Sequence, residues 1–322
     1  MLSKEKKYPL ILAIAYGVAY GVVAQFAIRL NMLGGLFGAM SFGFVFVLPF
    51  VFGVITLWFA DKKSQQSWIF RIFAPWGSTS ICLVFSLLVG WEGTICMIMA
   101  AIIYLPFASI GGVVTGVALS WHNARNKVSS TSLVAVMLLP ILFVFSESLF
   151  PLPVEYRKAE TSIDIEAPVS KVWENIIRVK PINEPLNGFF YKMGFPKPIA
   201  ATLSHEGIGG VRKASFERGL VFTETVDRWE PEKAISFDIE VEPGSVPLTT
   251  LDEHVMVGGR YFDVLRGTYE IERLDDSHVR LHLSSEFRVS TRFNFYAGIW
   301  ARFLMLDIQQ TILEVIKSRC ER

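Results

Sequence analysis

Three carboxylates sit among apolar neighbours at spacings that could turn them toward a dry interior. Glu224 lies between Phe222 and Val226, and alternate residues of a strand share a face. Asp263 has the parity of Tyr261, Leu265 and Tyr269, and Asp307 interrupts an apolar run that includes Phe303, Leu304 and Leu306. A carboxyl group facing a dry cavity holds its proton to higher pH and can act as an acid. Glu224 is the candidate for that catalytic role, because both of its flanking neighbours are apolar. The competing reading pairs each carboxylate with an arginine such as Arg228, Arg266 or Arg302, and makes it structural.

Other chemistries have weaker signatures. Of the five histidines, His278 and His282 share a strand face, but it is the face of Arg280 and therefore wet. Cys82, Cys96 and Cys320 form no CxxC or Cys/His metal spacing. The GIGG at 207–210 marks a turn, since no helix follows it as a dinucleotide site requires. No metal and no cofactor is implied. The formal net charge is +1, with no broadly basic face, so nucleic acid is not an expected partner.

The mean hydropathy of +0.40 conceals two unlike halves. Residues 1–150 hold 9 Lys+Arg and 4 Asp+Glu, which leaves 22 and 26 for residues 151–322. Apolar blocks at about 9–28, 36–60, 72–89, 94–121 and 133–150 each approach the ~20 residues that span a bilayer. Lys4, Lys6 and Lys7 precede the first block, as in a signal peptide, but no small-residue cleavage site follows and four further blocks do. Lys62, Lys63, Arg71, Arg125 and Lys127 fall in alternate loops. Positive loops favour the cytoplasm. With five spans, the chain is expected in a plasma (inner) membrane with its N-terminus cytoplasmic and residues 151–322 outside. If the third and fourth blocks form one kinked element, that parity flips. Gly17/Gly21, Gly34/Gly38 and Gly112/Gly116 suit close helix packing, within one bundle or between two copies in a homo-oligomer. No ionisable residue falls at a span centre, which argues against an ion-driven transporter; the bundle reads as an anchor.

Residues 151–322 read as a soluble domain. A strand is expected at 160–166, a helix with apolar residues at 169, 172, 173, 176 and 177, and strands near 201–206, 210–217, 219–229, 233–242, 261–274 and 278–290. The proline-rich 181–199 carries Phe189, Phe190, Tyr191, Met193 and Phe195. Those rings either plug the core or serve as a lid or a bilayer contact. Residues 243–259 are expected to form a long linker at a rim. Residues 293–319 should be one helix, apolar on nearly every side in its first half, so it must be covered on most sides. A sheet curled around it would do that and leave room for a hydrophobic ligand.

The segment SIDIEAPVSKVWENI, followed by GGVRKASFERGLVFTETVDRWEPEKAISFDI, resembles the START-like superfamily, also called SRPBCC or polyketide cyclase/dehydrase-like. The resemblance covers about 156–319 and excludes the membrane half. It implies a helix-grip fold: a curved antiparallel sheet around a long C-terminal helix, enclosing a hydrophobic cavity. Members bind lipids, sterols or polyketides, and a minority catalyse cyclisation or dehydration. The expected fold class is thus a membrane α-helical bundle of about five spans at 1–150, followed by an α+β helix-grip domain at 151–322. The expected partners are the bilayer and a hydrophobic small molecule or lipid. The expected function is binding that ligand, through Phe222, Glu224, Phe237, Tyr261, Asp263, Tyr269, Trp300, Phe303, Leu304 and Asp307. The alternatives are a cyclase- or hydrolase-like enzyme using an inward carboxylate, and an interaction module with a packed core and no ligand. For the topology, Asp276→Cys, in the Asp275-Asp276-Ser277 turn, should react with an impermeant thiol reagent on intact cells, after outer-membrane permeabilisation where there is one. Labelling only after lysis would show that the span parity is wrong.

Overall fold

The computed structural model describes residues 9–29, 40–122, 130–241 and 257–322. The chain divides into two compact units, Met1–Leu152 and Pro153–Arg322.

The first unit is helical: α1 Pro9–Arg29, α2 Leu48–Trp58, α3 Lys62–Gln66, α4 Trp68–Leu88, α5 Thr94–His122 and α6 Ser130–Ser148. Among the described residues, four stretches are long and apolar enough to cross a membrane: Leu10–Ala27, Trp68–Leu88, Thr94–Trp121 and Thr131–Ser148. The expected second span is shorter than the sequence suggests. A π-helical turn, Gly43–Val47, runs into α2, and Gly43–Trp58 rises about 24 Å at 1.5 Å per residue. That falls short of a hydrocarbon core of about 30 Å. Its expected start near residue 36 lies outside the described residues, as do Gly34 and Gly38.

Helix α2 is nonetheless the centre of this unit. Leu48, Val51, Phe52, Val54, Ile55 and Leu57 point in every direction around it, and all are buried. Small residues allow that closeness. A Cβ on Gly53 would collide with the backbone of Ala108 and Gly112 on α5, and one on Gly111 with the backbone of Phe50. Gly17 and Gly21 face Ser78 and Cys82 of α4, while Gly112 and Gly116 face Arg71. Those two glycine pairs are therefore filled by helices of the same chain. Arg71 is buried and spends its charge locally, donating from Nε to the Gln65 carbonyl (2.7 Å) and from Nη2 to Ser120 Oγ (2.7 Å).

The second unit is α+β. Its elements are β1 Glu155–Ile165, α7 Val169–Ile177, α8 Phe189–Lys192, β2 Pro198–Leu203, β3 Val211–Phe216, β4 Val221–Glu230, β5 Ala234–Val241, β6 Phe262–Arg273, β7 Val279–Val289 and α9 Asn294–Cys320. The strands form one antiparallel sheet in the order β1-β7-β6-β5-β4-β3-β2. β1 begins at Glu155, five residues before the expected start, because it pairs with β7 along its whole length, from Glu155 opposite Val289 to Ile165 opposite Val279. Alternation puts Val279, Leu281, Leu283, Phe287 and Val289 on the dry face. The curled sheet with its C-terminal helix is a helix-grip arrangement.

α9 has three zones. Its C-terminal part, with Leu313, Ile316 and Cys320, joins Val172, Trp173, Ile176, Ile235 and Leu281 in a solid core. Trp173 of α7 meets Trp229 edge-on, with centroids 5.2 Å apart. The middle part stands off the sheet over a cavity. The N-terminal part keeps much of its apolar surface exposed.

A buried amide sets how α9 lies on the sheet. Gln309 Nε2 donates to the Ala159 carbonyl of β1 (3.2 Å) and to Ser285 Oγ of β7 (2.8 Å), and its Oε1 accepts from Thr161 Oγ1 (2.8 Å). Ala159 and Ser285 are directly paired across the two strands, and both are small enough for the helix to approach. Gln309→Leu would leave the Thr161 and Ser285 hydroxyls and a carbonyl without this partner, and should destabilise the domain by roughly 2–4 kcal/mol, at ~1–3 kcal/mol per stranded buried group. Chemical denaturation would measure it; a loss below about 0.5 kcal/mol would show that the clamp does not hold the helix.

Candidate functional site

Between the sheet and the middle of α9 lies a cavity of about 120 Å³, counted as space open to the centre of a water molecule. One water needs roughly 10–15 Å³ by that measure, so the void holds far more than one. The sheet–helix core is therefore not fully packed. Its wall is mostly apolar: Phe216, Phe222, Phe237, Ile239, Phe262, Val264 and Leu283 from the strands, Leu304, Met305, Ile308 and Ile312 from α9, and Val179, Ile182 and Phe195 from the segment before β2.

Five of the ten residues expected at a ligand site are in that wall: Phe222, Glu224, Phe237, Tyr269 and Leu304. The other five are not, for identifiable reasons. Tyr261 and Asp263 lose the parity of Tyr269 because β6 has a bulge between Val264 and Arg266. A bulge inserts one residue and reverses which side chains face inward. Phe262, Val264, Gly267 and Tyr269 face the cavity instead. Asp263 approaches Arg288 at 3.9 Å, and burial lifts its carboxyl above the ordinary range while Arg288 pulls it down. Trp300 and Phe303 lie on the side of α9 away from the void, with Phe303 packed on Phe190 at 5.0 Å between centroids. Asp307 is a helix cap: its two carboxylate oxygens accept the backbone N–H groups of Phe189 and Phe190, each at 3.0 Å, at the start of α8.

Glu224 does point inward, but it is paired. Arg212 of β3 stands directly opposite it in the β3–β4 register. Arg212 Nη1 donates to Glu224 Oε2, and both side chains are almost wholly buried. The pairing reading of Glu224 is therefore correct in kind, with Arg212 in place of Arg228, Arg266 or Arg302. Arg212 also lies close enough to the Tyr269 hydroxyl for their charges to interact, and sits over the Phe237 ring, 5.2 Å from its centroid. Burial pushes the Glu224 carboxyl above its ordinary range, and Arg212 pulls it back. Burial is the strongest single influence on Arg212 and opposes its charge, but Glu224 and Tyr269 together outweigh it and the guanidinium keeps its proton. Tyr269 is pushed up to about 12 by burial, with Arg212 opposing. The ring hydroxyl therefore stays protonated at neutral pH.

One donor in this cluster has no partner. Arg212 Nε is buried and unpaired among the described residues, on a cavity-lining side chain. The signal for Arg212 was present in the sequence: it shares strand parity with Ala214 and Phe216, so the pattern VRKASF turns it inward with them. The cavity wall is thus hydrocarbon over most of its area, with the polar Arg212, Glu224 and Tyr269 at one point.

The proline-rich segment completes the wall. Phe190, Tyr191 and Phe195 plug the interior, whereas Phe189 is exposed. Ionic latches hold the segment to α9. Arg319 donates to Glu184 (2.8 Å) and to the carbonyls of Lys180 and Pro181.

No family model matches the chain, and no curated protein matches it. Among solved structures, it is similar to the Zhui aromatase/cyclase from a Streptomyces species, at 17% identity and a TM-score of 0.34, over 52% of this chain and 95% of that one. It is likewise similar to a START superfamily protein from Mycobacterium smegmatis, at 10% identity and 0.33, over 51% and 97%. A third is norcoclaurine synthase from Thalictrum flavum, in complex with dopamine and hydroxybenzaldehyde, at 9% identity and 0.31, over 51% and 86%. The likenesses cover about half of this chain. Its fold assignment stands on the strand order and the gripping helix described above.

The latch has a pH signature. Arg319 beside Glu184 holds that carboxyl down at about 2. A carboxylate whose value falls on folding stabilises the fold above its unfolded value and loses that contribution as pH falls toward the folded one. Glu184→Gln should therefore cost roughly 1.5–3 kcal/mol at neutral pH, the range for a hydrogen bond to a charged group. The gap from wild type should close between about pH 5 and pH 2. A pH-independent gap in denaturation midpoints would remove the ion pair from the account.

Proposed function

We propose that the protein is a membrane-anchored binding module for a neutral, mainly hydrocarbon ligand, a lipid in the first instance. Residues 1–150 are the anchor and residues 151–322 hold the ligand between the curled sheet and α9. The observation that carries this reading is the apolar cavity with Arg212, whose Nε is buried and unpaired among the described residues, in its wall. The charge of Arg212 is already matched by Glu224, so an anionic ligand would meet the Glu224 carboxylate at close range. A neutral acceptor, such as a carbonyl or hydroxyl oxygen, satisfies Nε without that repulsion. The same pairing speaks against Glu224 as a free general acid, since its carboxylate is engaged by Arg212.

The pair also predicts an unusual mutational pattern. Removing one member strands a buried charge, so Glu224→Gln should destabilise the domain by about 3–5 kcal/mol. Replacing both, as Arg212→Met with Glu224→Leu, should be nearly neutral for stability. Mass spectrometry of lipids co-purifying with the full-length protein would then identify the ligand, and the double variant should retain it roughly ten- to hundred-fold less well, as expected for one lost bond to a charged donor. Equal retention by a folded double variant would sink the Arg212 anchor. A co-purified compound altered by the wild type and unaltered by the double variant would favour the enzyme reading instead.

A further inference from the structure

We infer that the N-terminal half of α9, with α8 beside it, is a membrane-docking surface whose apolar side chains enter the head-group layer of the bilayer. The inference rests on the anchoring part of the reading above, not on the identity of the ligand.

Phe295, Ile299 and Phe303 recur every four residues along α9 and are 62%, 64% and 43% exposed. That spacing places them in one row on the helix. Phe189 of α8, 41% exposed, extends the row by stacking on Phe303, with centroids 5.6 Å apart and planes at 27°. A contiguous set of large exposed apolar side chains marks an interaction site rather than ordinary surface.

Two observations make the occupant a lipid surface. The first is the tether. Pro153 lies five residues beyond Ser148, the end of the apolar helix α6. Fully extended, those residues reach at most about 18 Å. Asn294, the first residue of α9, donates from Nδ2 to the Pro153 carbonyl (3.1 Å), and Arg157 of β1 donates to the Asn294 carbonyl (3.1 Å). The start of α9 is thereby fastened to the point where the chain leaves its last apolar helix. From Asn294 to Phe303 the helix rises only about 14 Å. The Asp275–Ser277 turn lies at the other end of the sheet, beyond the Ile165–Val279 pair.

The second is charge. Arg302 and Lys192 flank the row and are exposed. The one acid in residues 294–307 is Asp307, whose oxygens cap α8. An apolar row edged by cations suits an anionic interface. Val154 and Tyr156, both exposed at the tethered end, add an aliphatic and an interfacial aromatic side chain. Leu304 and Met305, which follow Phe303, line the cavity, so docking brings the cavity wall to the bilayer surface.

The test uses the full-length protein in vesicles of phosphatidylcholine containing phosphatidylglycerol as the minor, anionic lipid. A photoreactive p-benzoylphenylalanine is placed singly at Phe295, Ile299, Asp276 and Leu142, and adducts are identified by mass spectrometry. Leu142 is exposed on α6 and reports anchoring by itself. The expected result is lipid adducts at 142, 295 and 299 and none at 276, with the yield at 295 and 299 falling about ten-fold when phosphatidylglycerol is left out. Lipid at 142, with adducts at 295 and 299 to protein or to nothing, overturns the docking surface and leaves anchoring intact. No lipid at 142 overturns both.

Discussion

The second unit depends on how one helix is turned about its own axis. The first half of α9 is apolar on nearly every side, so hydrophobic burial alone would accept several rotations of it. Polar side chains remove that freedom. Gln309 must meet β1 and β7, Asp307 must meet α8, Arg319 must meet the 180–184 segment, and Asn294 must meet Pro153. Each residue advances the helix by about 100°, so a rotation by one position would strand all four. A buried group without a partner costs ~1–3 kcal/mol, and only the observed rotation satisfies every one.

That rotation also decides where the void lies. With Gln309 anchored on β1 and β7, Leu313 and Ile316 press onto the core while Leu304, Met305 and Ile308 stand off the curled part of the sheet. Curvature comes from irregular pairing, at Val226–Arg228 in β4 and Val264–Arg266 in β6. At Gly267 a side chain would strike Phe237, so the wall is thinned where the ring needs room. Into this space the fold places Arg212, Glu224 and Tyr269. A buried ion pair is weak support for stability, since apolar replacements of like volume do as well. Its value lies in what it admits: a charge balanced by its neighbour, with one N–H left over.

The helical unit follows a different rule. In the bilayer we propose for it there is no hydrophobic reward for bringing helices together, so close van der Waals contact must hold them. Gly53, Gly111 and Gly112 let α2 and α5 touch backbone to backbone. α2 is short but is buried on every side by its neighbours.

Much of this was legible in the linear chain. Periods of two and 3.6 placed the strands and helices, and the runs of apolar residues marked the helical unit, because burial of a repeating face is a local property. The inward parity of Phe222, Glu224 and Phe237 followed from the same rule. What the chain could not disclose depended on partners in other elements. The bulge that turns Asp263 outward exists only in the pairing of β6 with β7. The arginine that answers Glu224 is set by the β3–β4 register. Asp307 looked like a buried acid until α8 arrived to be capped. Trp300 and Phe303 were as apolar as Leu304, and only the anchored rotation of α9 separated the side facing the cavity from the side facing away. Composition determines that a side chain must leave water or keep company with charge; tertiary structure decides which neighbour receives it, because that choice belongs to separate elements that only the fold brings together.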